Sequence, residues 1–173
     1  MNELYATVFK RNFNLDTIGL RYFNVFGRKQ DPMGGYAAVI PKFVIQLINH
    51  ESPLVNGDGT YSRDFTYIDN VIKMNILALT TGNKTALNQI YNTAVGDRTT
   101  LFQLIHSLKK YLSKFDSAIA KIDIMYGPNR LRDVPHSQAC IEKAIKLLNY
   151  KPTHDFESGI KIAVEWYWEQ FKN

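Results

Sequence analysis

The chain has 173 residues, 45% of them hydrophobic and 21% charged, the make-up of an ordinary globular protein with enough apolar material for one core and with no low-complexity tract. There is neither a run of about 18 apolar residues nor a signal-peptide arrangement, so the expectation is a cytoplasmic protein with no membrane contact. The net charge of +5 is spread over scattered lysines and arginines, which argues for no nucleic acid partner and suits an anionic small ligand equally well.

The single cysteine, Cys140, excludes an internal disulfide and any multi-cysteine metal site, and it reads as inert core in a reducing compartment. Taking the chain in order, Leu4, Tyr5, Val8 and Phe9 recur at helical spacing and predict an amphipathic helix over residues 1 to about 12. Only Asn2 is available to cap it. Thr17 to Phe23 is rich in β-branched and aromatic residues and predicts a parallel strand buried on both faces. From Asn24 the character turns polar, with Gly27, Arg28, Lys29, Gln30, Asp31 and Pro32 at the strand's C-terminal end, where open α/β sheets place ligands. Residues 36–50 predict a helix with Pro41 tolerated in its first turns and with Val39, Ile40, Phe43, Val44, Leu47 and Ile48 as its buried face.

Leu54 and Val55 predict a very short strand before Asn56-Gly57-Asp58-Gly59, the strongest turn signal in the chain and one that reads as a hairpin. A second strand over 63–68 leads at Asp69 into a helix of about a dozen residues. Residues 90–94 predict a buried strand. Thr100 with Gln103 three residues later forms a capping-box pattern for a helix over 100–114. A strand over 120–126, a polar segment over 129–138, a helix over 138–148 and a last helix from about Phe156 to Phe171 complete the reading.

Three polar clusters, 24–32, 56–63 and 129–137, therefore follow strands or lie in loops, the layout of a ligand cleft assembled from separate segments. They supply arginines, amides and carboxylates but no nucleophile with a base. Ser137 and His136 are neighbours whose side chains point apart, and His50, His106, His136 and His154 have no metal-ligand spacing. Neither GxGxxG nor GxxxxGK[ST] occurs.

RYFNVFGRKQDP at 21–32, YAAVIPKF at 36–43, VNGDGTYSRDFTYIDNV at 55–71, YNTAVGDRTTL at 91–101 and RLRDVPHSQA at 130–139 together resemble, in order and with matching gaps, the C-terminal half of the extended short-chain dehydrogenase/reductase family. Within it the likeness is to bacterial UDP-N-acetylglucosamine 4-epimerases and related UDP-sugar 4-epimerases of polysaccharide synthesis. The resemblance implies an α/β chain: the C-terminal portion of a Rossmann-type fold plus a small mixed α/β substrate-binding lobe. Residues 1–35 would be the tail of the Rossmann domain and 36–173 mostly the lobe, with a returning Rossmann strand.

The family's enzymes use NAD to oxidise the sugar's C4 hydroxyl and return the hydride to the opposite face. Their GxxGxxG turn and their catalytic Ser or Thr and YxxxK pair have no counterpart here, since Tyr5 is followed four residues on by Phe9. The main NAD site and every catalytic side chain are thus expected to be absent, and the chain reads as a fragment or split-gene product whose status as an enzyme is open. Its implied partners are a UDP-sugar and either a second copy or a separately encoded N-terminal half. As substrate-binding residues the resemblance implies Asn24 and Gln30 near the diphosphate or sugar, and backbone groups of Ala38 and Val39 at a helix start. Asn56 would face uridine, Arg63 and Arg130 the diphosphate, Asp133 the ribose hydroxyls and Ser137 the acetamido group. Leu54 stands where relatives often carry an aromatic residue near uracil.

Overall fold

The structure, a computed structural model, describes residues 2–32, 38–129 and 133–172. Helix α1 (Asn2–Phe13) leads to strand β1 (Ile18–Tyr22) and has no buried residue. Arg21 joins the two, its Nε and Nη2 donating to Glu3 Oε1 and Oε2 at 2.6 and 2.7 Å. Strand β1 pairs in parallel with a later strand over Gln89–Thr93, from Ile18 opposite Gln89 to Tyr22 opposite Thr93. The parallel pairing agrees with the sequence; burial on both faces does not. Ile18, Gly19 and Leu20 are half-buried, while Arg21 and Tyr22 are exposed, because among the described residues β1 has a neighbour on one edge only.

The polar stretch after β1 hides a two-residue strand, β2 (Val25–Phe26), paired in parallel with a strand over Thr66–Tyr67. Helix α2 (Val39–Ile48) buries Ile40, Pro41, Phe43, Val44, Leu47 and Ile48, with Pro41 in its first turn where an amide would lack a partner. The predicted start of this helix at 36 lies outside the described residues, and its end is at Ile48 instead of His50.

Strand β3 (Leu54–Asn56) does not form the expected hairpin. The turn is present: Gly57 and Gly59 have φ of +77° and +82°, a region open to glycine without steric cost, and Asp58 Oδ1 accepts from the Thr60 amide at 2.9 Å. The strands on its two sides go to different partners. Strand β3 pairs in parallel with a strand over Met125–Gly127, whereas β4 (Ser62–Arg63) pairs antiparallel with a strand over Thr99–Thr100. The single strand expected over 63–68 is thus two, β4 and β5 (Thr66–Tyr67), in separate ladders.

Helix α3 (Ile68–Thr80), strand β6 (Gln89–Thr93), strand β7 (Thr99–Thr100) and helix α4 (Leu101–Leu112) follow. The capping box at α4 is formed in both directions, Thr100 with the Gln103 backbone and Gln103 with the Thr100 backbone. Only the start of the strand expected over 120–126 is replaced by a 3₁₀ helix, Ser117–Lys121, started by Asp116, whose Oδ1 accepts from the Ala118 amide at 3.0 Å, and residues 122–124 have no regular structure. Only β8 (Met125–Gly127) is extended.

Helix α5 (Glu142–Leu148) begins four residues later than predicted, because the backbone over 137–140 is bound elsewhere. The Ser137 amide donates to Ser62 O, the Ala139 amide to Asp64 Oδ2, and Asn92 Nδ2 to Cys140 O. Cys140 is consequently exposed, not core. The last helix, α6 (Phe156–Phe171), starts where predicted.

The core has two parts. The larger gathers α2, α4 and α6 around Phe26, Val55, Phe65 and Tyr67; the smaller packs Met74, Tyr91, Leu148 and Tyr150 with Ile18 and Leu20 of β1. At the contact between α6 and β5, a Cβ on Gly159 would lie 2.7 Å from Tyr67 Cβ, so the two elements approach at a distance that only glycine permits. Buried Asn70 ties α3 to the entry of α6, donating to His154 O at 2.7 Å and accepting from the Thr153 amide at 2.7 Å. A gap remains between the start of α2 and the ends of β2, β3 and β4.

Candidate functional site

That gap is a cleft of about 530 Å³, and six of the nine residues singled out in the sequence line it: Asn24, Ala38, Val39, Asn56, Arg63 and Asp133. They arrive on five supports, Ala38 and Val39 sharing the start of α2. Asn24 stands between β1 and β2, its carbonyl accepting from the Thr66 amide at 3.2 Å. Ala38 is the N-cap of α2 and offers no side-chain cap, so the first amides of the helix lack intrahelical acceptors and favour an anion. Asn56 ends β3, and Arg63 ends β4.

Asp133 is held on a segment that zips alongside β4. The Ser62 amide donates to Pro135 O at 2.9 Å, the Ser137 amide to Ser62 O at 3.1 Å, and Ser62 Oγ shares a hydrogen bond with His136 Nδ1 at 3.0 Å. Arg63 completes the zip: Nη1 donates to Ser62 O and Pro135 O at 2.9 and 3.2 Å, and Nη2 to Asp133 Oδ1 at 2.6 Å. With side-chain exposures of 19% and 33%, this ion pair is only partly screened.

Beneath it lies Asp64, fully buried. Its two oxygens accept from the amides of Val95, Gly96 and Ala139 at 3.1, 3.0 and 3.2 Å. Burial pushes its carboxyl above the usual aspartate range, against the pull of those three donors. Burial, and then the charge of Asp64, raise the Tyr150 phenol to about 12, so it stays protonated and donates to Ala94 O at 2.9 Å. Asp64 is therefore the knot that joins β4, the turn after β6 and the 133–139 segment. Arg63 thus pairs with Asp133, 70 positions away, and not with its chain neighbour Asp64.

The other three sequence candidates stand apart. Gln30 is not on the cleft wall; its Nε2 donates to Val25 O at 3.3 Å, its carbonyl accepts from Tyr167 Oη at 3.0 Å, and its Oε1 is buried without a hydrogen-bond partner. Ser137 is bound through its amide to Ser62 and also lies off the lining. Arg130 lies outside the described residues. The sequence reading passed over the apolar walls, Phe26, Ile40, Phe43, Phe65 and Leu101, and also Lys42. Lys42 had a signal: it stands four residues after Ala38, on the same side of α2.

Among the described residues no cluster of His, Cys, Asp and Glu is arranged to hold a metal ion, and no helix is long and apolar enough to cross a membrane. The cleft is half apolar, lies between short strand ends and a helix start, and carries both paired and unpaired charges at its rim, a composition compatible with an anionic ligand. The chain belongs to the NAD dependent epimerase/dehydratase family, whose family model matches residues 1–94.

A UDP-glucuronate 4-epimerase of Thermodesulfobacterium geofontis is 34% identical over 166 residues, which are 95% of this chain and 47% of that protein. The crystal structure of UDP-glucose 4-epimerase with UDP-glucose from Thermotoga maritima has 34% identity and a TM-score of 0.86, covering 97% of this chain and 51% of that one. UDP-N-acetylglucosamine 4-epimerase from Methanobrevibacter ruminantium, in complex with UDP-N-acetylmuramic acid, has 38% identity and a TM-score of 0.86, with the same coverages of 97% and 51%. The chain spans about half the length of the relatives it matches. Its fold is accordingly the C-terminal portion of a Rossmann-type extended short-chain dehydrogenase/reductase together with a small mixed α/β lobe.

NAD is the cofactor of the family, and the described residues offer it no glycine-rich strand-to-helix turn. Two strands run straight into helices, Tyr67 into Ile68 and Thr100 into Leu101, with no glycine to let a diphosphate approach the backbone. In the turn after β6, Gly96 has φ of +85°, but its amide is taken by Asp64.

Proposed function

We propose that these 173 residues form the UDP-sugar-binding part of an NAD-dependent nucleotide-sugar 4-epimerase acting on UDP-N-acetylglucosamine or UDP-glucose in polysaccharide precursor synthesis. The observation that carries the reading is the gathering of Asn24, Ala38, Val39, Asn56, Arg63 and Asp133, drawn from five separate stretches of chain, around one cleft. In this reading the diphosphate lies over the start of α2, between the amides after Ala38 and the Arg63 guanidinium, with Arg130 as a second clamp. Asp133 takes the ribose hydroxyls, Asn56 and Leu54 border the uracil, and Asn24, with Gln30 behind it, faces the diphosphate and sugar. Ser137 keeps space for the acetamido group. The division at residue 35 separates the part that continues a Rossmann sheet from the part that holds the nucleotide. A dehydratase or decarboxylase of another nucleotide sugar is the rival within the family.

A second reading, a non-catalytic module completed by an N-terminal half supplied in trans, is favoured by one feature. Leu4, Val8 and Phe9 of α1 and Leu15 before β1 are 72%, 48%, 45% and 51% exposed, an apolar surface suited to another polypeptide. In both readings this chain supplies no hydride acceptor and no Tyr-Lys pair, so catalysis resides in the completed enzyme. The test is calorimetric titration of the chain with UDP beside a turnover assay on UDP-N-acetylglucosamine with and without NAD. The expected result is UDP binding without turnover. Turnover by the purified chain, or no UDP binding at all, contradicts it.

A further inference from the structure

The described lining of the cleft contains two cationic side chains, Arg63 and Lys42, and one carboxylate, Asp133. Arg63 is already committed: Nη1 is spent on two backbone carbonyls and Nη2 on Asp133, which leaves two of the five guanidinium N–H groups. Its charge is cancelled at 2.6 Å, and any ligand that takes it competes with a formed ion pair. Lys42 is the opposite case. It is exposed, and the structure gives its ammonium no ion pair or hydrogen bond among the described residues. Lys42 stands between buried Pro41 and Phe43, and its amide donates to Ala38 O at 3.3 Å, so its side chain leaves α2 one turn on from Ala38 and on the same face. The walls around it are largely apolar, with Phe43, Phe65 and Leu101 among them, and screen a charge less than open water does.

Resting on the nucleotide reading above, we infer that Lys42 is a further ligand-gripping cation of this cleft: its ammonium, with the first amides of α2 and beside the Arg63 guanidinium, holds the diphosphate of the nucleotide, while Arg63 also serves as a strut that fixes Asp133. A lysine suits this position because it is a compact point charge with three donors on a flexible stem, able to follow a diphosphate without a fixed fork geometry. The same anion chemistry is offered by the carboxylate of a uronic sugar, and the experiment separates the two.

The full chain, unaltered and as Lys42→Met and Lys42→Arg, is titrated by calorimetry with UDP, uridine, UDP-glucose and UDP-glucuronate at two salt concentrations. Lys42→Met is expected to weaken UDP, UDP-glucose and UDP-glucuronate alike by about tenfold, the low end for a bond to a charged group, and to leave uridine unchanged. It should also flatten the salt dependence of UDP binding, and Lys42→Arg should restore most of the affinity and of that dependence. Unchanged UDP affinity in Lys42→Met, an equal loss for uridine, or a loss confined to UDP-glucuronate would each overturn the assignment to the diphosphate. If the unaltered chain binds none of the four, the nucleotide reading falls, and this inference with it.

Discussion

Arg63 and Asp133 lie 70 positions apart, yet their side chains meet at 2.6 Å, and in the proposed function this one contact carries both structure and ligand chemistry. Arg63→Ala deletes a ligand donor and also cuts the 133–135 segment from β4, so it is expected to weaken UDP by about 1.5–3 kcal/mol and to lower the melting midpoint. Arg63→Lys should recover the charge but not the paired carbonyl bonds, restoring only part of either property. Calorimetry with UDP and uridine checks this, an equal loss for both ligands showing a purely structural arginine. Both residues were legible in the sequence because their neighbours carry a family pattern. Lys42 was not, since its one signal, a place four residues after Ala38, singles it out among 21 Lys and Arg only once the helix face is set against a cleft. Cys140 was misread for a related reason: its surroundings looked helical and apolar, and only the long-range bonds to Ser62 and Asp64 hold that stretch extended.

Elements defined by their own neighbours were readable. Thr100 with Gln103 caps α4, and Asp155 starts α6 by accepting from the Ser158 amide at 2.8 Å, both being contacts three residues apart. Elements defined by distant partners were not. A turn at 56–59 states that the chain bends, but not that β3 will pair with β8 some 70 residues later while β4 turns to β7. Asp155 also yields a pH prediction. Its hydrogen bonds with Ser158 hold its carboxyl below the ordinary aspartate value of 3.8. A carboxyl whose folded value is depressed adds stability that is complete above its unfolded value and is lost as pH falls through the folded one. Asp155→Ala should therefore cost about 0.5–2 kcal/mol at neutral pH, with the difference from the unaltered chain shrinking below about pH 4. Urea unfolding of both proteins between pH 7 and pH 2.5 measures it; a pH-independent difference would mean that Asp155 contributes only packing.

At the scale of the whole molecule, burial is uneven. The core between α2, α4 and α6 is closed, with Leu47, Leu104, Leu108 and Tyr167 at 0% exposure, whereas α1 buries nothing and β1 has one partner among the described residues. An open strand edge beside exposed Leu4, Val8, Phe9 and Phe13 favours association. Sedimentation at rising concentration is expected to show self-association, abolished by Leu4→Glu with Val8→Glu, and a strict monomer throughout would contradict it. The cleft is self-contained by comparison, since its described residues are carried by elements packed on the closed core or on the Asp64 knot. The central claim, that this cleft alone recognises UDP, is tested most directly by amide chemical-shift mapping of the labelled chain during UDP addition. Shifts concentrated at Asn24, Val39, Lys42, Asn56, Arg63 and Asp133, saturating together, are the predicted result; saturable shifts centred on α1 and β1, with those six residues unmoved, would contradict it.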